Sequence, residues 1–383
     1  MKFMHISDLH IGKRVNEFSM LEDQKVILSE IIEIATEQEV NGVIIAGDIY
    51  DKTVPSAEAV DVFDDFITEL SSKDIPLFII SGNHDSPERL DFGSRIMGKH
   101  KVHIAGQFDG EIKAVTMDDD DGKIHIYLMP YLKPALVNRK LSIESVSFDE
   151  CVRAALAKTA VNFEERNILV AHQFVTAGGN APERSDSESK SLGGMDNVDV
   201  SAFAGFDYVA LGHIHGPQQM GRETVRYSGS PLKYSFSECR HKKSVTIIEL
   251  KEKGNLTYKQ IELHPLRDMK EIRCSLSELM AGKTLKTVSA DCYVHVILTD
   301  EDEIIDAIGK VREIYPFVML LDFDNRRTQE NLNLNQLTGE DLKQKSPLEL
   351  FGDFYVNQNN IEMTESQSNL FAEIAERMEG RSL

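Results

Sequence analysis

The chain has 383 residues, a net charge of −21 and 41% hydrophobic residues. That length suffices for one large core and a smaller domain, and the acidic balance excludes a basic nucleic-acid module of the usual kind, although bound divalent metals or a basic partner subunit can still bring nucleic acid to an acidic protein. The cysteines Cys151, Cys239, Cys274 and Cys292 form no C-x-x-C pair, no apolar signal region precedes the first strand, and no apolar run approaches the ~20 residues of a membrane span; a cytoplasmic protein with free thiols and no membrane partner is expected.

Residues 2–6 read as a buried strand that runs into Ser7-Asp8-Leu9-His10. Val26, Ile27, Ile31 and Ile34 predict a helix over residues 21–38. Residues 43–46 are a second apolar strand, leading into Gly47-Asp48-Ile49-Tyr50-Asp51. Another helix starts at Pro55-Ser56, with Ser56 as N-cap and a stripe of Ala59, Val60, Phe63, Phe66, Ile67 and Leu70. Residues 76–80 form a third strand, which delivers Gly82-Asn83-His84-Asp85. Alternating strands and helices predict a parallel sheet with crossover helices.

After Phe92 the strands become shorter and more alternating, over residues 101–104, 111–116 and 124–128. The run Asp118 to Gly122 reads as a solvated hairpin tip rather than a calcium loop, because no ligand-rich segment follows it. A helix is expected over 148–160, then a buried strand over 167–171 that delivers His172. Residues 176–194 form a long loop rich in Gly, Ser and charge, a length usually tied to function or motion. The strand over 206–211 runs into Gly212-His213-Ile214-His215. Residues 225–227 and 244–250 are expected to pair as antiparallel strands, with Ser228-Gly229-Ser230-Pro231 as the bend between them.

A boundary falls near His264-Pro265. Beyond it a βαβαβ pattern over residues 271–323 predicts a small α+β domain, with helices at 275–280 and 301–314. From Leu337 the chain is acidic and helical: Ser346-Pro347-Leu348-Glu349 and Thr364 to Gln367 read as helix starts, and Phe351, Phe354, Tyr355, Leu370, Phe371, Ile374 and Met378 give apolar edges, with Gly380 as a C-cap. The expected division is therefore 1–265, 266–336 and 337–383.

The polar residues at the strand exits form an ordered series: Asp8 and His10; Asp48; Asn83, His84 and Asp85; His172; His213 and His215. In a parallel sheet these exits open on one edge, where ligands bind. Residues two apart on an extended segment share a side, so Asp8 with His10, and His213 with His215, can reach one locus. Carboxylate, amide and imidazole without thiolate suit hard and borderline divalent metals. The ligands outnumber the needs of one ion, and two ions ~3.5–4 Å apart sharing a carboxylate would account for them, clamping a phosphate and activating a bridging water for in-line attack. His5, His100, His103, His125, His241, His264 and His295 lie outside the series and are read as ordinary core or surface residues.

The series D-x-H, G-D-x-x-D, G-N-H-D, H and G-H-x-H resembles the calcineurin-like metallophosphoesterase superfamily. Ser7-Asp8-Leu9-His10, Gly47-Asp48-Ile49-Tyr50-Asp51 and Ser81-Gly82-Asn83-His84-Asp85 are similar to DNA-repair nucleases of the Mre type. Tyr227-Ser228-Gly229-Ser230-Pro231 and Ser346-Pro347-Leu348-Glu349-Leu350-Phe351 resemble the bacterial SbcD nuclease subunits. The resemblance implies an α/β fold, a β-sandwich flanked by helices, with a small α+β capping domain and a C-terminal helical tail. It implies one metal on Asp8, His10, Asp48 and His215, and a second on Asp48, Asn83, His172 and His213, with Asp48 bridging. The family metal is Mn²⁺, for which Mg²⁺ or another divalent ion can substitute. His84 would work on the scissile phosphate rather than bind metal, with Asp85 orienting its ring, and Asp51 is given no ligand role.

The family cuts DNA beside an SbcC-type ABC ATPase with a coiled coil, as a homodimer within a heterotetramer associated with the nucleoid. By that analogy the tail docks on the ATPase, and helices at 56–70 and 87–97 form the dimer face, although their apolar stripes equally suit an internal core. Activities implied are 3′–5′ double-strand exonuclease and single-strand or hairpin endonuclease. Two other readings stand beside this one: a metallophosphatase or small-molecule phosphodiesterase of the same superfamily, and a non-catalytic DNA or ATPase interaction subunit.

Overall fold

The computed structural model describes residues 1–188 and 196–326, together with residues 351, 352, 355, 363, 364, 366–371 and 374. The chain divides into two compact units, Met1–Met269 and Lys270–Leu383.

The first unit begins with β1 (Lys2–Ile6), α1 (Leu21–Glu37), β2 (Gly42–Ala46), α2 (Ala57–Ser72), β3 (Leu77–Ile80) and β4 (Val102–Ala105). The four strands are mutually parallel neighbours, and β2 and β3 are buried along their whole length, which is why they read as continuous apolar runs. Ser56 caps α2 by accepting the Ala59 N–H at 3.3 Å. The buried stripes of the two helices run slightly round from expectation: Leu28, Ile32 and Val62 are buried, whereas Val26 and Val60 are exposed.

A second sheet follows: β5 (Lys113–Asp119), β6 (Gly122–Met129), β7 (Arg166–His172), β8 (Tyr208–Gly212), β9 (Gln218–Met220) and β10 (Arg222–Tyr227), in the order β9-β10-β8-β7-β6-β5. Here β6, β7, β8 and β10 are parallel. The helices α3 (Pro134–Leu141) and α4 (Phe148–Lys158) cover its outer face with Val137, Cys151, Val152 and Ala155. The sequence pattern does not announce α3, which has Pro134 at its start but no side-chain cap.

β11 (Ser244–Leu250) and β12 (Leu256–Glu262) return to the first sheet, whose order is β12-β11-β1-β2-β3-β4. The expected pairing of residues 225–227 with 244–250 is therefore incorrect. β10 pairs with β8 and β9, β11 pairs with β1 and β12, and the bend at residues 228–231 leads the chain from one sheet to the other. Between the sheets, Phe3, Ile44, Phe78, Ile126, Ile168 and Ala210 belong to one apolar core, which makes the unit a sandwich.

The aspartate run is more than a solvated tip. Asp120 and Asp121 make the turn, but Asp119 pairs with the buried Arg166 and with the N-terminal amine at 3.0 Å. The Arg166 hydrogen bond, helped by that amine, holds the Asp119 carboxyl down at about 2. All four cysteines are free thiols. Among the described residues no helix is long and apolar enough to cross a membrane.

At the start of the second unit, β13 (Met269–Cys274), α5 (Leu276–Met280), β14 (Tyr293–Leu298), α6 (Ala307–Ile314) and β15 (Val318–Phe323) build a three-stranded sheet, order β13-β14-β15, around Leu279, Val294, Val296, Val311 and Tyr315. A capping box between Ser275 and Glu278 opens α5, and α6 starts later than expected because Asp306, at φ 51°, caps it. In the tail, Thr364 and Gln367 make the predicted reciprocal bonds, and Phe351 stacks on Phe371 with ring centroids 3.8 Å apart. The Ser346-Pro347-Leu348-Glu349 helix start, Phe354, Met378 and Gly380 lie outside the described residues.

Candidate metal centre

The parallel strands of the two sheets end side by side. Two contacts fix this junction. His172 Nδ1 lies 2.8 Å from the Ala46 carbonyl oxygen, and Gly212 passes so close that a Cβ there would sit 1.9 Å from the same oxygen. Gly82 is needed for the same reason: its Cβ would fall 2.1 Å from Asp48 Oδ1. Its role is therefore to admit Asp48. Asp8 (φ 54°), His10 (φ 45°), Asp48 (φ 50°) and His213 (φ 103°) all have positive φ. Such strain in non-glycine residues costs of order 1–3 kcal/mol each and gathers where a fold must present side chains for function.

The seven residues proposed as ligands come together. His10 Nε2 lies 3.1 Å from His215 Nε2 and 3.7 Å from Asp48 Oδ2. His172 Nε2 lies 3.3 Å from Asp48 Oδ2 and 3.0 Å from Asn83 Oδ1. His213 Nδ1 lies 2.7 Å from the same amide oxygen, and the His213 N–H donates to both Asp8 oxygens at 3.0 and 3.2 Å. Potential ligand atoms of Asp8, His10 and His215, and of Asp8, Asp48 and His172, lie within 4.8 Å of one another. Asp48 thus stands between two donor groups.

The electrostatics fit a cation here. Asp8 is fully buried, and burial pushes its carboxyl up to about 7. Burial pushes the His213 imidazole down to about 3 and keeps His10 well below its ordinary value. Asp48 is also buried, but the neighbouring His172, with His10 and His84, outweighs that burial and holds its carboxyl well below the usual range. His10 and His213 are thus neutral, as a metal ligand must be, whereas His172 is buried but drawn up to about 9 by Asp48, and it and Asp8 hold protons that a bound divalent ion would displace. The residues present therefore fit two hard or borderline cations, and these would supply the positive charge that the buried carboxylates lack.

His84 sits at the mouth, half-buried, its ring 4.8 Å from that of His10 and nearly perpendicular to it. Its backbone N–H donates to Asp48 Oδ1 at 2.8 Å. Atoms of His84, His10 and Asp48 also lie within 4.8 Å of one another. The expected pairing of Asp85 with this ring is corrected. Asp85 accepts the N–H groups of Gly82, Ile49 and Tyr50 at 2.9, 3.1 and 3.0 Å, whereas His84 Nδ1 lies 2.9 Å from the Asp51 carbonyl oxygen. Asp85 braces the two loops on which Asp48 and Asn83 sit, and a backbone oxygen orients His84. The Asp51 side chain holds Lys13 at 2.8 Å. Sequence patterning also misses a group behind His215, comprising Ser187, Glu188, Glu238 and Lys243, because Lys and Glu away from periodic segments read as surface.

Residues 1–217 match the family model of calcineurin-like phosphoesterases. The chain belongs to the calcineurin-like phosphoesterase family. Within this family it is similar along its length to two proteins named as the SbcD subunit of nuclease SbcCD. The one from Staphylococcus saprophyticus is 31% identical over 387 residues, covering 98% of this chain and 97% of that protein. Its counterpart from Staphylococcus epidermidis is 28% identical over 379 residues, covering 96% of each. Residues 265–359 match the type 5 capsule protein repressor C-terminal domain. A dimetal phosphatase structure from Danio rerio, at 13% identity, covers 70% of this chain and 98% of its own with a TM-score of 0.39, a likeness too slight to carry the assignment. As in other calcineurin-like phosphoesterases, hydrolysis of a phosphate ester at a divalent metal site is the chemistry in view.

Asp48→Asn tests the shared ligand. Replacing the central carboxylate should lower bound metal from two ions per chain to one or fewer, measured by elemental analysis after equilibration with Mn²⁺ and desalting. Two ions retained would remove Asp48 from the bridging position.

Proposed function

We propose that this protein is the nuclease subunit of an ATP-dependent DNA double-strand-break repair complex, and that it hydrolyses DNA phosphodiesters at two divalent metal ions. The observation that carries the reading is the convergence of Asp8, His10, Asp48, Asn83, His172, His213 and His215 on one edge of a chain that matches the SbcD component of SbcCD nucleases almost end to end. Asp8, His10, Asp48 and His215 would hold one ion, and Asp48, Asn83, His172 and His213 the other. Bound there, two Mn²⁺ ions, with Mg²⁺ as a substitute, would neutralise the non-bridging phosphate oxygens and provide hydroxide near neutral pH.

The chain's own groups do the rest. Gly82 and Gly212 keep the loops close enough for the ligands to share a pocket. His84 lines an open cleft with Asp51, Lys52, Thr53, Val54 and Asn83. With Nδ1–H directed at the Asp51 carbonyl, its Nε2 is the atom that would act on the phosphate or the leaving oxygen. Duplex 3′–5′ exonuclease and single-strand or hairpin endonuclease activities follow from the family resemblance. The second unit positions DNA, and the tail at 337–383 docks on an SbcC-type ABC ATPase whose basic surface offsets the charge of −21.

A homodimer is the assembly favoured by the surface around α2. Val54, Val60, Phe92 and Ile96 are exposed, and Phe92 is 82% accessible beside a largely apolar groove of 540 Å³.

His84→Gln should lower Mn²⁺-dependent cleavage of duplex DNA by about 10²–10⁴-fold with both ions and ATPase binding retained. Unchanged cleavage would exclude His84 from the chemistry. Hydrolysis of a p-nitrophenyl phosphodiester alone, even with the ATPase present, would replace the nuclease reading with a small-molecule phosphodiesterase. The assembly is tested by sedimentation and co-purification. Phe92→Glu should give a monomer that still binds the ATPase, and deletion of residues 337–383 should give a dimer that does not; the reverse pattern would refute both surfaces.

A further inference from the structure

The His215 imidazole is held by a chain of side chains outside the ligand set. Its Nδ1 lies 2.7 Å from Ser187 Oγ, and that hydroxyl lies 2.6 Å from Glu238 Oε1. A hydroxyl has one proton and an ionised carboxylate can only accept. The Ser187 proton therefore goes to Glu238, and Ser187 accepts from His215 Nδ1–H. That tautomer leaves the lone pair on Nε2, the atom that faces His10 Nε2 at 3.1 Å.

Lys243 keeps the direction of this relay. Its ammonium bonds Glu238 Oε2 at 2.5 Å, the His215 carbonyl oxygen at 2.9 Å and Ser230 Oγ at 2.9 Å. A protonated Glu238 could donate to Ser187, which would then donate to Nδ1 and place the lone pair on the wrong nitrogen. The ammonium beside Glu238 favours the charged, acceptor-only form. Glu238 is wholly buried and Lys243 nearly so. A buried ion pair is weak evidence for stability, since apolar residues can often replace it. Its position one hydroxyl away from a ligand gives it a different use. Nearby, Glu188 accepts the His215 N–H at 2.8 Å. His172 has its Nδ1 set by a backbone carbonyl oxygen, whereas His215 depends on side chains from two other loops.

We propose that Ser187, Glu238 and Lys243 are positioning residues that hold His215 as its Nδ1–H tautomer and so set the affinity of the His10–His215 site for a divalent cation. This rests on the two-metal reading above. Such outer partners of ligating histidines typically contribute 10–100-fold in metal affinity.

Two readouts on the full chain test it. In the metal-free, ¹⁵N-labelled protein, the imidazole ¹⁵N shifts of His215, identified by difference from His215→Gln, should report Nδ1–H. In Ser187→Ala that preference should be lost. By Mn²⁺ titration followed with electron paramagnetic resonance, Ser187→Ala should weaken one of two sites by about 10–100-fold and leave the other unchanged, with Ser187→Thr restoring both readouts. An Nε2–H tautomer in the unsubstituted protein, or a Ser187→Ala titration that matches it, would overturn the proposal. A failure of the unsubstituted protein to take up two Mn²⁺ ions would instead reject the two-metal reading, and the tautomer measurement would still decide the relay.

Discussion

The site depends on how closely two sheet edges approach each other. At the junction the Ala46 carbonyl of one sheet meets His172 and Gly212 of the other, with room for no Cβ at Gly212. Parallel strands buried on both faces bring their carboxyl ends to one edge, and a sandwich of two such sheets brings two edges together. Ligands from β1, β2 and β3 then meet ligands from β7 and β8 without any long loop having to reach. Positive φ at Asp8, His10, Asp48 and His213 aims the side chains inward as the strands end. The strain is supported by extended apolar packing directly beneath.

Burial gives the cluster its chemistry. Burial and the Asp48 charge make Asp8 resist ionisation, and burial makes His10 and His213 resist protonation, while Asp48 and His172 hold each other charged. Divalent cations would relieve this crowding by displacing the protons and balancing the buried carboxylates. His84 is arranged differently: it is only half-buried and turned toward an open cleft, and a backbone carbonyl rather than a carboxylate fixes its ring. The geometry separates a group suited to work on substrate from the groups suited to hold metal, although His84 follows the ligand Asn83 directly in sequence.

Much of this was legible in the sequence because the physics behind it is local. Uniform apolar runs mark buried parallel strands, and D-x-H, G-N-H-D and G-H-x-H mark their exits. The Ser56 cap and the Thr364–Gln367 box were likewise readable from the local sequence. Long-range choices were not. Nothing local tells β11 to pair with β1 rather than with β10, since strand partners are chosen across more than two hundred residues of chain. The carboxylate of Asp85 could have faced His84, and only the fold reveals three backbone N–H groups waiting for it. Ser187, Glu238 and Lys243 gave no periodic signal, because their partners are 28 residues away or belong to separate loops. Asp119 looked like one of four solvated acids, and its link to Arg166 depends on a strand nearly fifty residues later.

The central claim is that this edge binds two divalent ions with Asp48 between them. Anomalous diffraction at the manganese edge from crystals grown with Mn²⁺ tests it most directly. The account predicts two peaks about 3.5–4 Å apart, one bounded by Asp8, His10 and His215, the other by Asn83, His172 and His213, with Asp48 touching both. A single peak, or ions bound away from these residues, would contradict it.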